Sequence, residues 1–134
     1  MRALIVDDDF YSRSFLEYIL HAHAECDTVE NGEEAVMMVQ KALDENNPYD
    51  LICLDLLMPV IDGPSALAEI REIEKDFGIP AEKRSKIIVT SVLEDDDETH
   101  DAMYLGTVAS FLQKPIEEKA ILAEMRRLDL IPKE

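Results

Sequence analysis

Short apolar runs that alternate with helical patterns constrain the fold of this chain more than any other feature. The predicted strands cover residues 2–7, 25–30, 50–55, 86–91 and 108–112. The predicted helices follow them at residues 10–23, 31–45, 64–77, 94–105 and 116–128. Strict alternation of strands and helices is typical of a parallel sheet with helices on both faces. The chain is therefore predicted to be an α/β protein built on a five-stranded parallel sheet.

Apolar side chains at helical spacing predict which face of each helix packs on the sheet. The inward residues are predicted to be Phe15, Leu16, Ile19, Leu20, Val36, Val39, Leu43, Leu67, Ile70, Ile73, Phe77, Ile121, Leu122 and Met125. Asn31 is positioned to cap the second helix, with Glu34 three residues later as in a capping box. Pro64 suits the first turn of the third helix.

Length and charge limit the kinds of function. The 134 residues fit one domain, residues 1–134, because domains commonly contain about 100–200 residues. The net charge of −17 disfavours nonspecific binding to nucleic acid or to an anionic membrane, but it permits a basic partner surface. No apolar run is long enough to span a bilayer. Met1 and Arg2 lead directly into a strand, so no signal peptide is predicted.

Two cysteines, Cys26 and Cys53, lie in predicted strands. If the strand order is 2-1-3-4-5, strand 1 lies between them and disfavours a disulfide, so they are expected to be buried reduced thiols. Their spacing is not that of a zinc site. A cytoplasmic location is therefore expected.

Charged side chains stand at the carboxyl ends of three predicted strands. Asp7 and Asp8 end the first strand, Asp55 ends the third, and Lys114 follows the fifth. Thr90 adds a hydroxyl near the end of the fourth strand. Carboxyl ends of parallel strands form one edge of the sheet, and ligands bind in the crevice there. These side chains are therefore predicted to meet in one pocket.

Such a pocket favours a divalent cation and phosphoryl chemistry. Two carboxylates about 4 Å apart repel by about 4 kcal/mol at an effective dielectric constant near 20. Mg²⁺, which binds a few carboxylates together with waters and phosphate oxygens, relieves that repulsion. A carboxylate can also attack phosphorus and form an acyl phosphate. Lys114 and Thr90 can then contact the oxygens of the transferring group.

The ordered motifs of the chain resemble those of the response-regulator receiver domain family. They are Val6-Asp7-Asp8-Asp9, Leu54-Asp55-Leu56-Leu57-Met58-Pro59 with Asp62-Gly63, Ile88-Val89-Thr90-Ser91, and Phe111-Leu112-Gln113-Lys114-Pro115. The resemblance spans residues 2–128. It implies a flavodoxin-like, doubly wound sheet of strand order 2-1-3-4-5.

The resemblance also implies a role for each site residue. Asp55 would be the phosphoacceptor, and Lys114 and Thr90 would contact the phosphoryl group. Mg²⁺ would be held by Asp8, Asp55 and the backbone carbonyl of Leu57, and by Asp7 through a water. Thr90 and Phe111 would form a switch pair. The Lys114–Pro115 peptide bond would be cis.

The function implied is that of a signalling receiver in a two-component system or phosphorelay. A histidine kinase or a histidine phosphotransfer protein would donate the phosphoryl group, and a downstream protein partner would read the change of surface. Neither direct nucleic-acid binding nor membrane insertion is expected. No output domain is recognised in this chain, and the receiver would catalyse only its own phosphorylation and dephosphorylation.

Three alternatives remain at the level of sequence. A Mg²⁺-dependent phosphatase with an aspartate nucleophile would place a second aspartate two residues after Asp55, where this chain has Leu57. A flavodoxin-like cofactor binder would need a Ser-, Thr- or Gly-rich phosphate loop after the first strand. A receiver that binds its partners without phosphorylation would not need the intact set of acids.

The chain departs from the family pattern at a few positions. The stretch between the third and fourth strands is several residues longer than typical, around Gly78–Arg84. Gly106 lies one residue farther from Lys114 than the usual glycine of the family. Leu57 and Val92 are apolar at two variable positions beside the site. Asp9 is predicted to be a solvated acid at the start of a helix rather than a metal ligand.

Overall fold

The computed structural model describes residues 1–56, 63–92 and 108–133, and it confirms the parallel sheet. Its strands are β1 (Arg2–Val6), β2 (Glu25–Val29), β3 (Leu51–Asp55), β4 (Lys86–Ser91) and β5 (Ser110–Gln113). All neighbouring strands pair in parallel, in the order β2-β1-β3-β4-β5. The strand order expected from the family resemblance is therefore confirmed.

Four α-helices lie within the described residues. They are α1 (Phe10–Leu20), α2 (Gly32–Asp44), α3 (Gly63–Asp76) and α4 (Glu118–Arg127). A 3₁₀ turn, Ala81–Lys83, lies between α3 and β4. The helix predicted at residues 94–105 falls outside the described residues, as do Leu57 and Gly106. None of the helices in the described ranges combines the length and the apolar character needed to span a bilayer.

Helices cover both faces of the sheet, and alternate strand residues divide the core into two clusters. One cluster joins α2 and α3 to residues such as Leu4, Ile52 and Val89. The other joins α1 and α4 to residues such as Ile5 and Cys53. β3 is buried along its whole length, as expected for the central strand of a doubly wound sheet.

Side-chain caps fix where the first two helices begin. Asp9 accepts the backbone N–H of Ser12 at 3.1 Å and caps α1, so its predicted place at a helix start is confirmed. Asn31 accepts the N–H of Glu34 at 2.9 Å and caps α2. The Glu34 carboxylate accepts the N–H of Glu30 at 3.4 Å, a variant of the capping box.

Two predicted core residues are largely exposed. Phe15 and Phe77 each retain 40% of their accessible surface. Phe15 lies at the edge of a stripe already filled by Leu16, Ile19 and Leu20. Phe77 follows the end of α3, just before Gly78 turns the chain with a φ of 71°. The prediction that these two rings belong to the buried faces was therefore wrong.

The two cysteines are free thiols on β2 and β3, with β1 between them. Cys53 is fully buried, and burial raises the pKa of its thiol to about 12. Cys26 is partly exposed, and burial again raises the pKa of its thiol. The prediction of unpaired cysteines is confirmed.

Candidate functional site

Three carboxylates meet at the carboxyl edge of the sheet. Asp7 and Asp8 directly follow β1, and Asp55 is the last residue of β3. One oxygen from each of them lies within 4.8 Å of the other two. Asp7 and Asp55 are buried, whereas Asp8 is exposed to solvent. The clustering predicted from the sequence is confirmed.

Lys114 joins the acids from the end of β5. Its Nζ lies 2.8 Å from Asp7 Oδ2 and 3.4 Å from Asp55 Oδ2. Its backbone N–H donates to the carbonyl of Ser91 at 2.6 Å, which extends the pairing of β4 and β5 to the rim of the site. The following peptide bond, Lys114–Pro115, is cis, as the resemblance implies.

Opposing effects act on the Lys114 ammonium group. Burial disfavours the charged form and lowers the pKa of Lys114. The hydrogen bond to Asp7 and the negative charges of Asp55 and Asp7 outweigh burial, so the pKa of Lys114 lies above its usual value. Lys114 is therefore a fixed positive charge at neutral pH.

Hydrogen bonds constrain both the side chain and the backbone of Asp7. Its Oδ1 accepts the N–H of Asp9 at 2.9 Å, and its own N–H donates to the carbonyl of Val29 at 3.2 Å. Arg13 Nη1 donates to the Asp7 carbonyl at 2.8 Å, while Arg13 Nη2 lies 3.3 Å from Glu30 Oε1. These contacts hold the turn after β1 in place.

Arg13 was not singled out by the sequence. The available signal is its spacing, because an arginine one helical turn after the capping Asp9 can reach back over the start of α1.

Thr90 lies beside Asp55 in the strand register and is buried. The carbonyl of Thr90 accepts the N–H of Leu56 at 2.8 Å. Phe111, on β5, is partly buried and packs on the sheet face covered by α2 and α3. Leu112, the β5 partner of Thr90, instead packs on the face covered by α1 and α4. Thr90 and Phe111 therefore lie on neighbouring strands, at positions of opposite pleat.

Asp8 and Asp55 line an open cleft of about 480 Å³. The described residues around it are Asp8, Asp9, Ser12, Asp55, Val92, Lys114 and Pro115. Val92 is 63% exposed at its mouth. The predicted metal ligand Leu57 lies outside the described residues.

The donor set fits a hard divalent cation. Every candidate ligand atom in the cluster is a carboxylate oxygen, the type that Mg²⁺ prefers. Three carboxylates against one ammonium group leave two excess negative charges, which one divalent ion balances. Asp8 and Asp55 face the cleft and could bind the ion directly, whereas Asp7 Oδ2 is already paired with Lys114.

The sequence pattern of the response regulator receiver domain matches residues 3–126. The chain belongs to this family. The match runs from the second residue of β1 through nearly all of α4, with the acid cluster and Lys114 inside it. Five parallel strands in the order 2-1-3-4-5 are the fold of receiver domains, and this receiver domain shares it.

Relatives of this receiver domain occur both inside large kinases and as small proteins. It is 33% identical over 129 residues to hybrid signal transduction histidine kinase B of Dictyostelium discoideum, covering 92% of this chain but 6% of that protein. It is 31% identical over 122 residues to the chemotaxis protein CheY of Halobacterium salinarum, covering 90% of each. The receiver thus corresponds to a small part of the kinase relative and to nearly all of the CheY relative.

A solved structure supports the same relationship. The receiver domain of the histidine kinase CKI1 from Arabidopsis thaliana, complexed with Mg²⁺ and BeF₃⁻, superposes with a TM-score of 0.81. The sequence identity is 29%, and the superposition covers 96% of this chain and 89% of that one.

Proposed function

We propose that this receiver accepts a phosphoryl group on the carboxylate of Asp55, with Mg²⁺ as cofactor. The observation that carries the proposal is the joint placement of three carboxylates within 4.8 Å of one another and of Lys114 Nζ 3.4 Å from Asp55. A single acid at a strand end would need neither a cation nor a lysine. The complex of the CKI1 receiver domain with Mg²⁺ and BeF₃⁻ supports the choice of cofactor.

The donor is a phosphohistidine of a histidine kinase or of a histidine phosphotransfer protein. An oxygen of Asp55 attacks phosphorus, the bond between phosphorus and the imidazole nitrogen breaks, and the imidazole leaves. Asp8 and Asp55 would hold the metal directly and Asp7 through a water, as the family resemblance implies. The resemblance also implies the carbonyl of Leu57, which lies outside the described residues. When bound, Mg²⁺ neutralises charge on the phosphoryl oxygens.

Lys114 and Thr90 supply the contacts that depend on phosphorylation. Before phosphorylation, the Lys114 ammonium group is held between Asp7 and Asp55. A phosphoryl group on Asp55 gives that ammonium a second, more highly charged partner, and it offers an acceptor to the Thr90 hydroxyl. A switch requires contacts that differ between its two states, and these two residues provide them. Phe111, three residues before Lys114, transmits the change to a surface bound by a downstream protein.

The protein donor reaches Asp55 through the mouth of the cleft. Phe10 and Tyr11 follow the acidic turn at the start of α1 and are 63% and 80% exposed. Exposed aromatic side chains next to a reactive acid are suited to docking a protein rather than a small substrate. The receiver acts catalytically only on itself, in gaining and losing its phosphoryl group. Its free thiols support a cytoplasmic location.

The proposal is tested by intact mass after incubation with acetyl phosphate, with and without Mg²⁺. The expected result is the addition of one phosphoryl group, only with Mg²⁺, to the parent chain and not to Asp55→Asn. Asp9→Asn is the matched control, because it removes an acid from the rim and keeps an asparagine that can cap α1. Equal modification of parent and Asp55→Asn would overturn the assignment.

A further inference from the structure

A second cavity, of about 250 Å³, lies at the opposite edge of the sheet, where β4 begins. Three cations line it: Arg71 from α3, Arg84 after the 3₁₀ turn, and Lys86 at the start of β4. Among the described residues, no carboxylate is part of the lining. The chain has 13 lysines and arginines against 30 acids, so a pocket with this lining stands out against the overall charge.

The segment that departs from the family pattern builds one wall of this cavity. Between Gly78 and Arg84 the chain leaves α3, forms the 3₁₀ turn and returns to the sheet. Ala81 and Arg84 from this segment line the cavity. The Nε of Arg84 donates to the carbonyl of Ile79 at 3.0 Å, which anchors the guanidinium group to its own loop.

A buried carboxylate, which is not itself part of the lining, holds two of the lining residues in place. Glu74 is 2% exposed, and its carboxylate accepts Arg71 Nη1 at 2.6 Å and the N–H of Ser85 at 2.9 Å. Arg71 Nη1 also donates to the Ser85 carbonyl at 3.0 Å. Arg71 is therefore fixed in position before any ligand arrives, and its charge is partly balanced by Glu74. Counted over the described residues that line the cavity, Arg84 and Lys86 add two further positive charges.

We propose that this cavity binds the phosphate group of a small phosphate monoester. Guanidinium groups recognise phosphate oxygens through paired N–H donors, and a lysine adds a point charge. The remaining lining includes Ala81, Val108 and Ala109, apolar surface for the carbon part of an ester. Pockets for drug-sized ligands measure about 300–1,000 Å³, so a smaller ligand is indicated.

The test is an NMR titration of the 134-residue chain with glycerol 2-phosphate and, separately, with inorganic phosphate. EDTA is present to remove the metal, so that binding at the Asp55 site is not supported. Saturable shifts are expected for amides between Ala81 and Lys86 and at Val108 and Ala109. The ester is expected to bind more tightly than inorganic phosphate, because only the ester contacts the apolar lining.

Two variants and one control locate the site. Arg84→Gln and Lys86→Gln are each expected to weaken binding about tenfold, the typical effect of losing a charge-assisted hydrogen bond. Lys83→Gln removes a neighbouring exposed charge that does not line the cavity, and its affinity is expected to match the parent. Arg71 is left intact because its loss would strand the buried Glu74.

Several results would overturn the proposal. The absence of a saturable shift in the parent chain would show that the cavity is not a phosphate site. Shifts confined to Asp8 and Asp55 would show the same. If Lys83→Gln weakened phosphate binding as much as Arg84→Gln and Lys86→Gln, the effect would come from the overall charge rather than from the cavity. Equal affinity for inorganic phosphate and for the ester would overturn the assignment to a phosphate monoester. Because no step requires phosphorylation of Asp55, these results are independent of the proposed signalling function.

Discussion

Replacing Asp8 by asparagine tests what this carboxylate contributes to charge repulsion and to metal binding while the other site residues stay in place. An Asp8 oxygen lies within 4.8 Å of oxygens of both Asp7 and Asp55. At that distance each like-charge pair costs about 3.5 kcal/mol at an effective dielectric constant of 20 and about 1 kcal/mol in bulk water. Asp8 is exposed, so the lower value applies, and the loss of attraction to Lys114 offsets part of the gain. We expect Asp8→Asn to raise the free energy of unfolding without Mg²⁺ by about 1 kcal/mol.

With Mg²⁺, the parent should have a higher free energy of unfolding than Asp8→Asn, the reverse of the order without the metal. A ligand that binds only the folded state at 100 times its Kd adds about 2.7 kcal/mol to the free energy of unfolding. The parent should gain this amount, whereas Asp8→Asn should gain less than about 1 kcal/mol because a direct ligand is missing. The assay is urea unfolding with EDTA and with saturating Mg²⁺, followed by circular dichroism.

Asp9→Asn is the matched control for this experiment. It removes the same charge one residue away, and asparagine ranks with aspartate as a helix cap. Its gain from Mg²⁺ should match that of the parent. If Asp8→Asn gains as much from Mg²⁺ as the parent and Asp9→Asn do, Asp8 is not a ligand and the charge-balance reasoning fails.

Three further outcomes are expected. Lys114→Ala should abolish the phosphorylation-dependent NMR shift at Phe111. An unchanged shift would show that Lys114 does not couple phosphorylation of Asp55 to the change at Phe111. Only the thiolate reacts with iodoacetamide, and burial raises the pKa of Cys53 to about 12. Iodoacetamide should therefore alkylate Cys26 first and Cys53 only on unfolding, which mass spectrometry can follow. Val92→Glu should shorten the lifetime of the phosphorylated protein after the donor is removed. A carboxylate at the cleft mouth can orient the attacking water, whereas the valine shields the phosphorus atom. Equal or slower loss of phosphate in the variant would count against shielding.

Much of the fold follows from local patterns in the sequence. The alternation of apolar runs with helical stripes predicts the parallel sheet, because each pattern repeats with the period of its own element. The acids and Lys114 were also predictable, since residues at the carboxyl ends of parallel strands share one edge. Asp9 and Asn31 mark helix starts because their side chains satisfy free backbone N–H groups.

Other features depend on tertiary contacts that a local pattern does not contain. Phe15 and Phe77 fit the helical stripes, but each retains 40% of its accessible surface, which the stripe alone does not predict. Arg13 stabilises the acidic turn through the carbonyl of Asp7, a contact that requires the turn to be folded. The basic cavity joins Arg71 to residues of a loop that the sequence marks only as an extension.

The most direct test of the central claim is to locate the phosphoryl group itself. The parent chain is phosphorylated with acetyl phosphate and Mg²⁺, treated with borohydride, and digested for peptide mass spectrometry. Borohydride reduces an acyl phosphate to the alcohol, so a phosphorylated aspartate is converted to homoserine and can be assigned by fragmentation. We expect the conversion at Asp55 alone. Conversion at Asp7 or Asp8, or none in a protein that has gained a phosphoryl group, would contradict the account.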